Sequence, residues 1–458
     1  MKYSVTILVI IFLCKIHFAD AHQNSSISYN QDRFDSNNEI NTKNVNNLKL
    51  VQTFDTKILG EIQSSPIVEN DTMYISTYSG NVFAYNLISQ KIIWHYTYKY
   101  LNTDCCGPSL KNRGLAILND RLYFGTADAH LICLNKNTGR LIWNVKVEDS
   151  ELKYRIFAAP TAFDNLVIVG LGDGNIRGVV KAYNAVNGTP IWKFNVTPAL
   201  NARGGGVWNS PSVDTNNNTI FFVTGDPYHS SPDFNRGDNL FTNSLIALDL
   251  HTGILKWFYQ YIPHDINDLD FGTPTILTNL KGNNREVIPV VISSGKIGKV
   301  FIHRRDNGHL IKTSQSMIEP ALPDSFSGVS WSPMSFDNNL NYIYALNTFK
   351  SGNYYHGAVV ATSAKTGKVL WKFKTNYPMV GGVLSTGSGL VFFGDGMGII
   401  RAVNAKNGRV LWSHKVNAGC NSPPISFKVK GKQHIAIGCG GNNMFNFKKG
   451  SNFYIFSL

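Results

Sequence analysis

Four aspartates carry the chemistry that the sequence suggests first. Asp226 stands in Thr-Gly-Asp-Pro, directly after an apolar run. His264-Asp-Ile-Asn-Asp-Leu-Asp270 holds three carboxylates in seven residues. Asp173 lies in the glycine-rich run Gly170-Leu-Gly-Asp-Gly-Asn175. Carboxylates drawn from separate loops onto one point suit a hard cation, which takes oxygen ligands. Any one of these acids taken alone reads first as a solvated loop residue. Asp268 and Asp270 are the stronger pair, because alternate residues of an extended chain point the same way.

Something must bring those loops together, and the tryptophans show what. The chain has eight, and six close one recurring pattern: an apolar strand, a turn, and a return strand ending in Trp. The clearest copies are Asn137-Thr-Gly-Arg-Leu-Ile-Trp143, Val186-Asn-Gly-Thr-Pro-Ile-Trp192, His251-Thr-Gly-Ile-Leu-Lys-Trp257, Lys365-Thr-Gly-Lys-Val-Leu-Trp371 and Lys406-Asn-Gly-Arg-Val-Leu-Trp412. Ser89-Gln-Lys-Ile-Ile-Trp94 lacks the Gly, and Asp306-Asn-Gly-His-Leu-Ile lacks the Trp. The Gly permits a tight turn at positive φ, and the Trp buries a large ring between neighbouring sheets. Copies recur every 41 to 65 residues, the range of a four-stranded propeller blade with its loops. Seven copies are visible. An eighth blade would pair the C-terminal strand Phe453-Tyr-Ile-Phe with Leu48 to Phe54, closing the ring without exposed edges. The expected fold is an all-β, eight-bladed β-propeller over residues 47–458, with its site on the axis where loops converge.

The first 21 residues read as a signal peptide: Lys2, an apolar stretch from Val5 to Cys14 too short to span a bilayer, and Ala19-Asp20-Ala21 as a cleavage site. Residues 22–46 are rich in Asn, Ser and Asp and read as a flexible leader. No later segment is apolar enough for a membrane span, so a periplasmic or secreted location is expected. Of six cysteines, Cys105 and Cys106 are adjacent, Cys420 and Cys439 flank the last blade and could pair, and Cys133 sits in a strand as a buried thiol. Export permits disulfides. No Cys-x-x-Cys-His occurs, so no attached c-type haem is expected. The formal charge of +13, or +12 without the signal's two Lys and one Asp, is scattered and carries no nucleic-acid motif.

Taken together, these residues resemble the quinoprotein alcohol dehydrogenases, eight-bladed propellers that hold pyrroloquinoline quinone (PQQ) and a metal on the axis. The likeness runs from about Leu48 to the C-terminus. It rests on Cys105-Cys106 followed by Asn112-Arg-Gly, on Asn175-Ile-Arg-Gly-Val-Val, on Gly204-Gly-Gly-Val-Trp208, on Arg236-Gly-Asp-Asn-Leu, on His264-Asp-x-x-Asp-x-Asp, on Lys296 in Gly-Lys-Ile-Gly-Lys-Val, and on Gly-x-Leu-Val-Phe-Phe-Gly-Asp395. The resemblance implies a vicinal disulfide of Cys105 and Cys106 over one quinone face and Trp208 stacked on the other. Glu61, Arg113 and Lys296 would contact the cofactor. Asp173, Asp226, Asp268 and Asp270 would bind calcium or a lanthanide. Asp268 would be the base that takes the alcohol proton as hydride leaves for the quinone, with the metal polarising the quinone carbonyl.

The sequence also departs from that family. Asp173 falls where the family has Glu, Asp226 where it has Asn, Asn267 where it has Trp, and Ser330 where it has Asn. The gap from Cys106 to Arg113 is longer than usual, and the chain is short for the family. Asp270 is the extra carboxylate that lanthanide-dependent members carry, and some calcium or magnesium relatives carry it too. The implied function is oxidation of a small alcohol or sugar, with electrons passed to a separate acceptor such as a soluble cytochrome c. The alternatives are a non-catalytic propeller that binds proteins through its rim, and a former enzyme that keeps the fold while its cofactor pocket has decayed.

Overall fold

The structure, a computed structural model, describes residues 28–100, 110–172, 175–198, 202–231, 234, 237–281 and 286–458. Eight antiparallel sheets of four strands form the eight blades of a propeller. Within a blade the strands follow sequence order, as in Thr161–Phe163, Leu166–Leu171, Val179–Asn184 and Pro190–Asn195. The first, short strands of neighbouring blades contact one another and line the axis. The closing blade joins the chain's two ends: Lys49–Asp55 pairs antiparallel with Asn452–Ser457, with Thr53 opposite Tyr454. This is the ring closure expected from the sequence.

The Trp repeat works between blades. Each Trp indole Nε1 donates to a carbonyl of the next blade: Trp94 to Lys136 O, Trp143 to Ala185 O, Trp192 to Leu250 O, Trp257 to Arg305 O and Trp371 to Ala405 O. Trp412 donates to Leu48 O and so bonds the last full blade to the closing one. A register shift just before each Trp, as between Leu141 and Trp143, re-aims the ring out of its own strand. The repeat's Gly has a second duty beyond its turn. At Gly253, with φ +69°, a Cβ would lie 2.6 Å from the Trp192 ring of the preceding blade. The Gly therefore makes room for its neighbour's Trp. That explains the copy without Gly: the blade before it, the closing one, supplies no Trp, and Gln90 takes φ 56° instead.

A substitution separates the two duties. Gly253→Ala is expected to cost about 2–4 kcal/mol, from a left-handed Ala and an overpacked Trp socket together. Gly431→Ala has φ +78° but open space around it, so about 1–2 kcal/mol is expected there. Urea unfolding of both variants checks this. Equal losses would mean that the socket contributes nothing.

The stretch read as a flexible leader is corrected from Ser28 onward. It is a strap that crosses one inner strand after another around one mouth of the axis. Tyr29 Oη donates to Ala162 O, and the carbonyls of Tyr29, Asn30, Asp32, Arg33 and Asp35 accept the amides of Val213, Leu277, Phe336, Ser385 and Gly387. Phe34–Asp35 forms a parallel fifth strand on Leu384–Thr386. Arg33 and Ile40 are buried. Composition misled because these bonds are made by backbone, which polar residues supply as well as apolar ones. Cys420 and Cys439 form a disulfide, and Cys133 is a free, buried thiol whose pKa burial pushes up to about 12. The proposed signal, residues 1–21, lies outside the described residues.

Candidate functional site

Asp226 sits in the turn that leaves the inner pair Ser212–Asp214 and Thr219–Val223. Asp268 and Asp270 sit on the segment leading to the next inner strand, Ile276–Lys281. One oxygen from each of the three carboxylates lies within 4.8 Å of the others. Lys296 Nζ donates to Asp268 Oδ1 at 2.6 Å and lies 2.6 Å from Asp270 Oδ2. Asp226 N donates to Asp270 Oδ1 at 2.8 Å, and Lys296 N donates to Asp270 O at 2.9 Å. Backbone and side chains thus lock this corner from both sides.

The convergence of Asp268 and Asp270 holds, but the expected cause does not. The segment is not an extended strand, and Asp268 has φ 56°. Asp265 winds it instead. Its buried carboxylate accepts Asn267 N at 2.8 Å, Leu269 N at 2.7 Å and Asn243 Nδ2 at 2.8 Å. This Asx-type turn makes Asp265 a positioning residue that sequence reasoning left among the candidates without a role.

The electrostatics follow from three acids sharing one lysine. Burial and the charges of Asp270 and Asp268 push Asp226 up to about 9. Burial and the Asp270 charge push Asp268 up to about 6, against the pull of Lys296. Asp270 is buried, yet Lys296 and the hydrogen bonds from Asp226 hold it below the usual carboxylate range. The two acids raise Lys296 against its own burial. Because Asp226 is raised, its ionisation opposes the cation-free fold, and stability is lost as pH rises through about 9. A multivalent cation would need all three groups ionised. Cation binding at pH 7 is therefore expected to release about one proton, and more near pH 5 as Asp268 also starts protonated. Titration calorimetry in buffers of different ionisation heat counts those protons, and none released would contradict the arrangement.

Trp208 forms the wall beside the acids. Added methyls at Gly206, Gly225 and Gly272 would lie 2.7, 2.4 and 2.5 Å from its ring, and the one at Gly225 would also lie 2.7 Å from Asp270 Oδ1. Glycines at these points let the indole seat against the acid cluster. Arg113 is fixed by Nε to Gln63 Oε1 at 3.1 Å and Nη1 to Trp208 O at 2.8 Å, with its guanidinium 5.5 Å from the Trp331 ring centroid. Asn112 of the same Asn-Arg-Gly motif is buried, accepting Ser76 Oγ and Gly114 N and donating to Gly125 O. It bolts the loop that presents Arg113. Glu61 is buried, with one oxygen accepting Gln63 Nε2 and the other Asn443 N, both at 2.6 Å. It reaches Arg113 through Gln63, a second residue that the sequence reading missed.

The structure therefore brings together Asp226, Asp268, Asp270 and Lys296, and beside them Trp208, Arg113 and, through Gln63, Glu61. Asp173 and the pair Cys105 and Cys106 lie outside the described residues. A flat indole walled by glycines, two cations and a cluster of hard oxygen donors fit a planar anionic cofactor beside a metal ion.

Comparison with known proteins agrees with this geometry. The profile of the glucose/ethanol/alcohol dehydrogenase β-propeller domain, named PQQ, matches residues 24–321 and 372–435. The chain is 26% identical over 502 residues to the quinoprotein alcohol dehydrogenase PedH of Pseudomonas putida, covering 88% of this chain and 83% of that one. It is 26% identical over 524 residues to the lanthanide-dependent methanol dehydrogenase of Methylacidiphilum fumariolicum, covering 93% and 85%. A europium-containing methanol dehydrogenase structure superposes with a TM-score of 0.86 at 23% identity, covering 95% of this chain and 98% of that chain. The chain belongs to the PQQ-dependent (quinoprotein) alcohol dehydrogenase family of β-propeller oxidoreductases.

Proposed function

We propose that the protein is an exported PQQ-dependent dehydrogenase that oxidises an alcohol or a sugar. The observation that carries this reading is the meeting of Asp226, Asp268 and Asp270 on Lys296 beside glycine-walled Trp208. Trp208 would stack on PQQ, and Arg113, Lys296 and Glu61 would fix its polar rim, with Cys105 and Cys106 over the opposite face. Asp226, Asp268 and Asp270, with Asp173, would hold calcium or a lanthanide. When bound, PQQ supplies the two-electron acceptor for the substrate's hydride. The chain's own work is to orient the hydroxyl and take its proton at Asp268, whose side chain is 43% exposed against 9% for Asp270. Lys296 holds that carboxylate in place. Electrons would pass to a separate carrier such as a soluble cytochrome c, and residues 1–21 would direct export.

The test is reconstitution. The purified full chain is mixed with PQQ and calcium or a light lanthanide, passed through gel filtration, and read for quinone absorbance co-eluting with protein. Retention followed by alcohol-dependent dye reduction supports the reading. No retention with any of these metals overturns it and favours a protein-binding propeller.

A further inference from the structure

A chamber lies on the axis next to the acid cluster. Its lining residues follow the site residues along the chain: Gln63 after Glu61, Gly114 after Arg113, Asn209 after Trp208, Pro274 after Asp270 and Pro333 after Trp331. None of the three clustered aspartates lines it, and neither does Lys296. It therefore lies one layer further along the axis than the acids, with Trp208 and Arg113 shared between the two. Strap residues Ser28, Tyr29, Gln31 and Arg33 line it as well. Its volume is about 110 Å³, well below the roughly 300–1,000 Å³ of ordinary cofactor and substrate pockets.

Its chemistry is one-sided. Among the described residues, two guanidiniums, Arg33 and Arg113, line it, and no carboxylate does. Arg33 is buried and donates to three neutral acceptors, Val383 O, Ser65 Oγ and Pro424 O. Burial pulls its pKa down to about 10, with only Asp32 opposing. Four buried polar atoms of lining residues find no protein partner: Trp331 Nε1, Asn209 Oδ1 and both amide atoms of Asn421. Asn421 is 1% exposed and Asn209 3%. Asn209 Nδ2 is committed to Val223 O at 3.3 Å, so Oδ1 is the atom left over. Unmatched polar groups this deep are costly unless something meets them.

We propose that this chamber is a binding site for a small protonated oxyanion of the hydrogen-phosphate kind. Its oxygens would accept from the guanidiniums, Trp331 Nε1 and Asn421 Nδ2. Its hydroxyl would donate to an amide oxygen of Asn209 or Asn421. Arg33 belongs to the strap and Arg113 to a blade, so the anion would tie the strap to the ring from inside.

The experiment uses the full chain with no cofactor added, so its failure speaks to the chamber alone. Titration calorimetry and thermal unfolding are run with inorganic phosphate, sulfate, acetate and chloride at matched ionic strength, after long equilibration. Saturable phosphate binding that stabilises the fold is expected, with sulfate at least about tenfold weaker because it offers the amide oxygens no donor. Asn421→Leu adds no charge and should weaken phosphate by at least about tenfold while circular dichroism stays native. Arg33→Gln should do the same where it folds. Phosphate no tighter than chloride, or phosphate binding unchanged in Asn421→Leu, overturns the proposal. Sulfate binding as tightly as phosphate overturns the assignment of a protonated anion.

Discussion

Asp268→Asn is expected to lower kcat for alcohol oxidation by about 10³-fold while the protein still retains PQQ and metal. Asn has the same shape and keeps an oxygen toward Lys296 and the cation, but it cannot take a proton. Its neighbours do not change: Lys296 stays paired with Asp270, and the glycines around Trp208 are untouched. The loss should therefore fall on kcat, with KM and quinone absorbance near wild type. The pH profile adds an independent readout. Asp268 lies near 6 with no cation present, and a bound cation would lower it. The wild-type rate should fall on the acid side as Asp268 protonates, and the residual rate of the variant should lack that limb. A variant within tenfold of wild type would remove Asp268 as the base. Loss of PQQ from the variant would instead make it a structural ligand.

The ring was legible because its signal is periodic and local. Six of the eight blades repeat one turn and one Trp, so missing elements read as informatively as those present. Only the structure gives the reason for the Gly, since its partner Trp lies in the preceding blade, 61 residues earlier for Gly253 and Trp192. The site was legible residue by residue where one motif delivers one group, as Asn-Arg-Gly delivers Arg113 and His-Asp-x-x-Asp-x-Asp delivers Asp268 and Asp270. The connections were not. Gln63 between Glu61 and Arg113, and Asp265 beneath Asp268, act through neighbours that no spacing rule marks. The strap was illegible for a different reason. It bonds through backbone carbonyls to four blades in turn, and through the Tyr29 hydroxyl and the Ile40 amide to two more, and such bonds leave no trace in hydrophobic periodicity.

Lys296→Met should cost about 3–5 kcal/mol of stability in the cation-free protein, although Met fills similar space. Lys296 is the cation that faces Asp268 and Asp270 at 2.6 Å, and its side chain is 9% exposed. Without it, three acids with ligand atoms within 4.8 Å keep only their hydrogen bonds. Protonation is then their remaining relief, so their folded pKa values must rise above those of the unfolded chain. A raised carboxylate favours the fold at low pH and opposes it as pH rises through the folded value. The deficit should therefore be small at pH 5 and large at pH 8. A multivalent cation supplies the missing charge, so calcium or a lanthanide should narrow the gap to wild type at pH 8 and have little effect at pH 5. Urea unfolding at both pH values, with and without the metal, measures all four terms. A deficit independent of pH and metal would reduce Lys296 to a packing residue. The expected pattern would instead show that lysine and cation compete to neutralise one cluster. On that account Lys296 is what lets a fold keep three clustered acids together before its metal arrives.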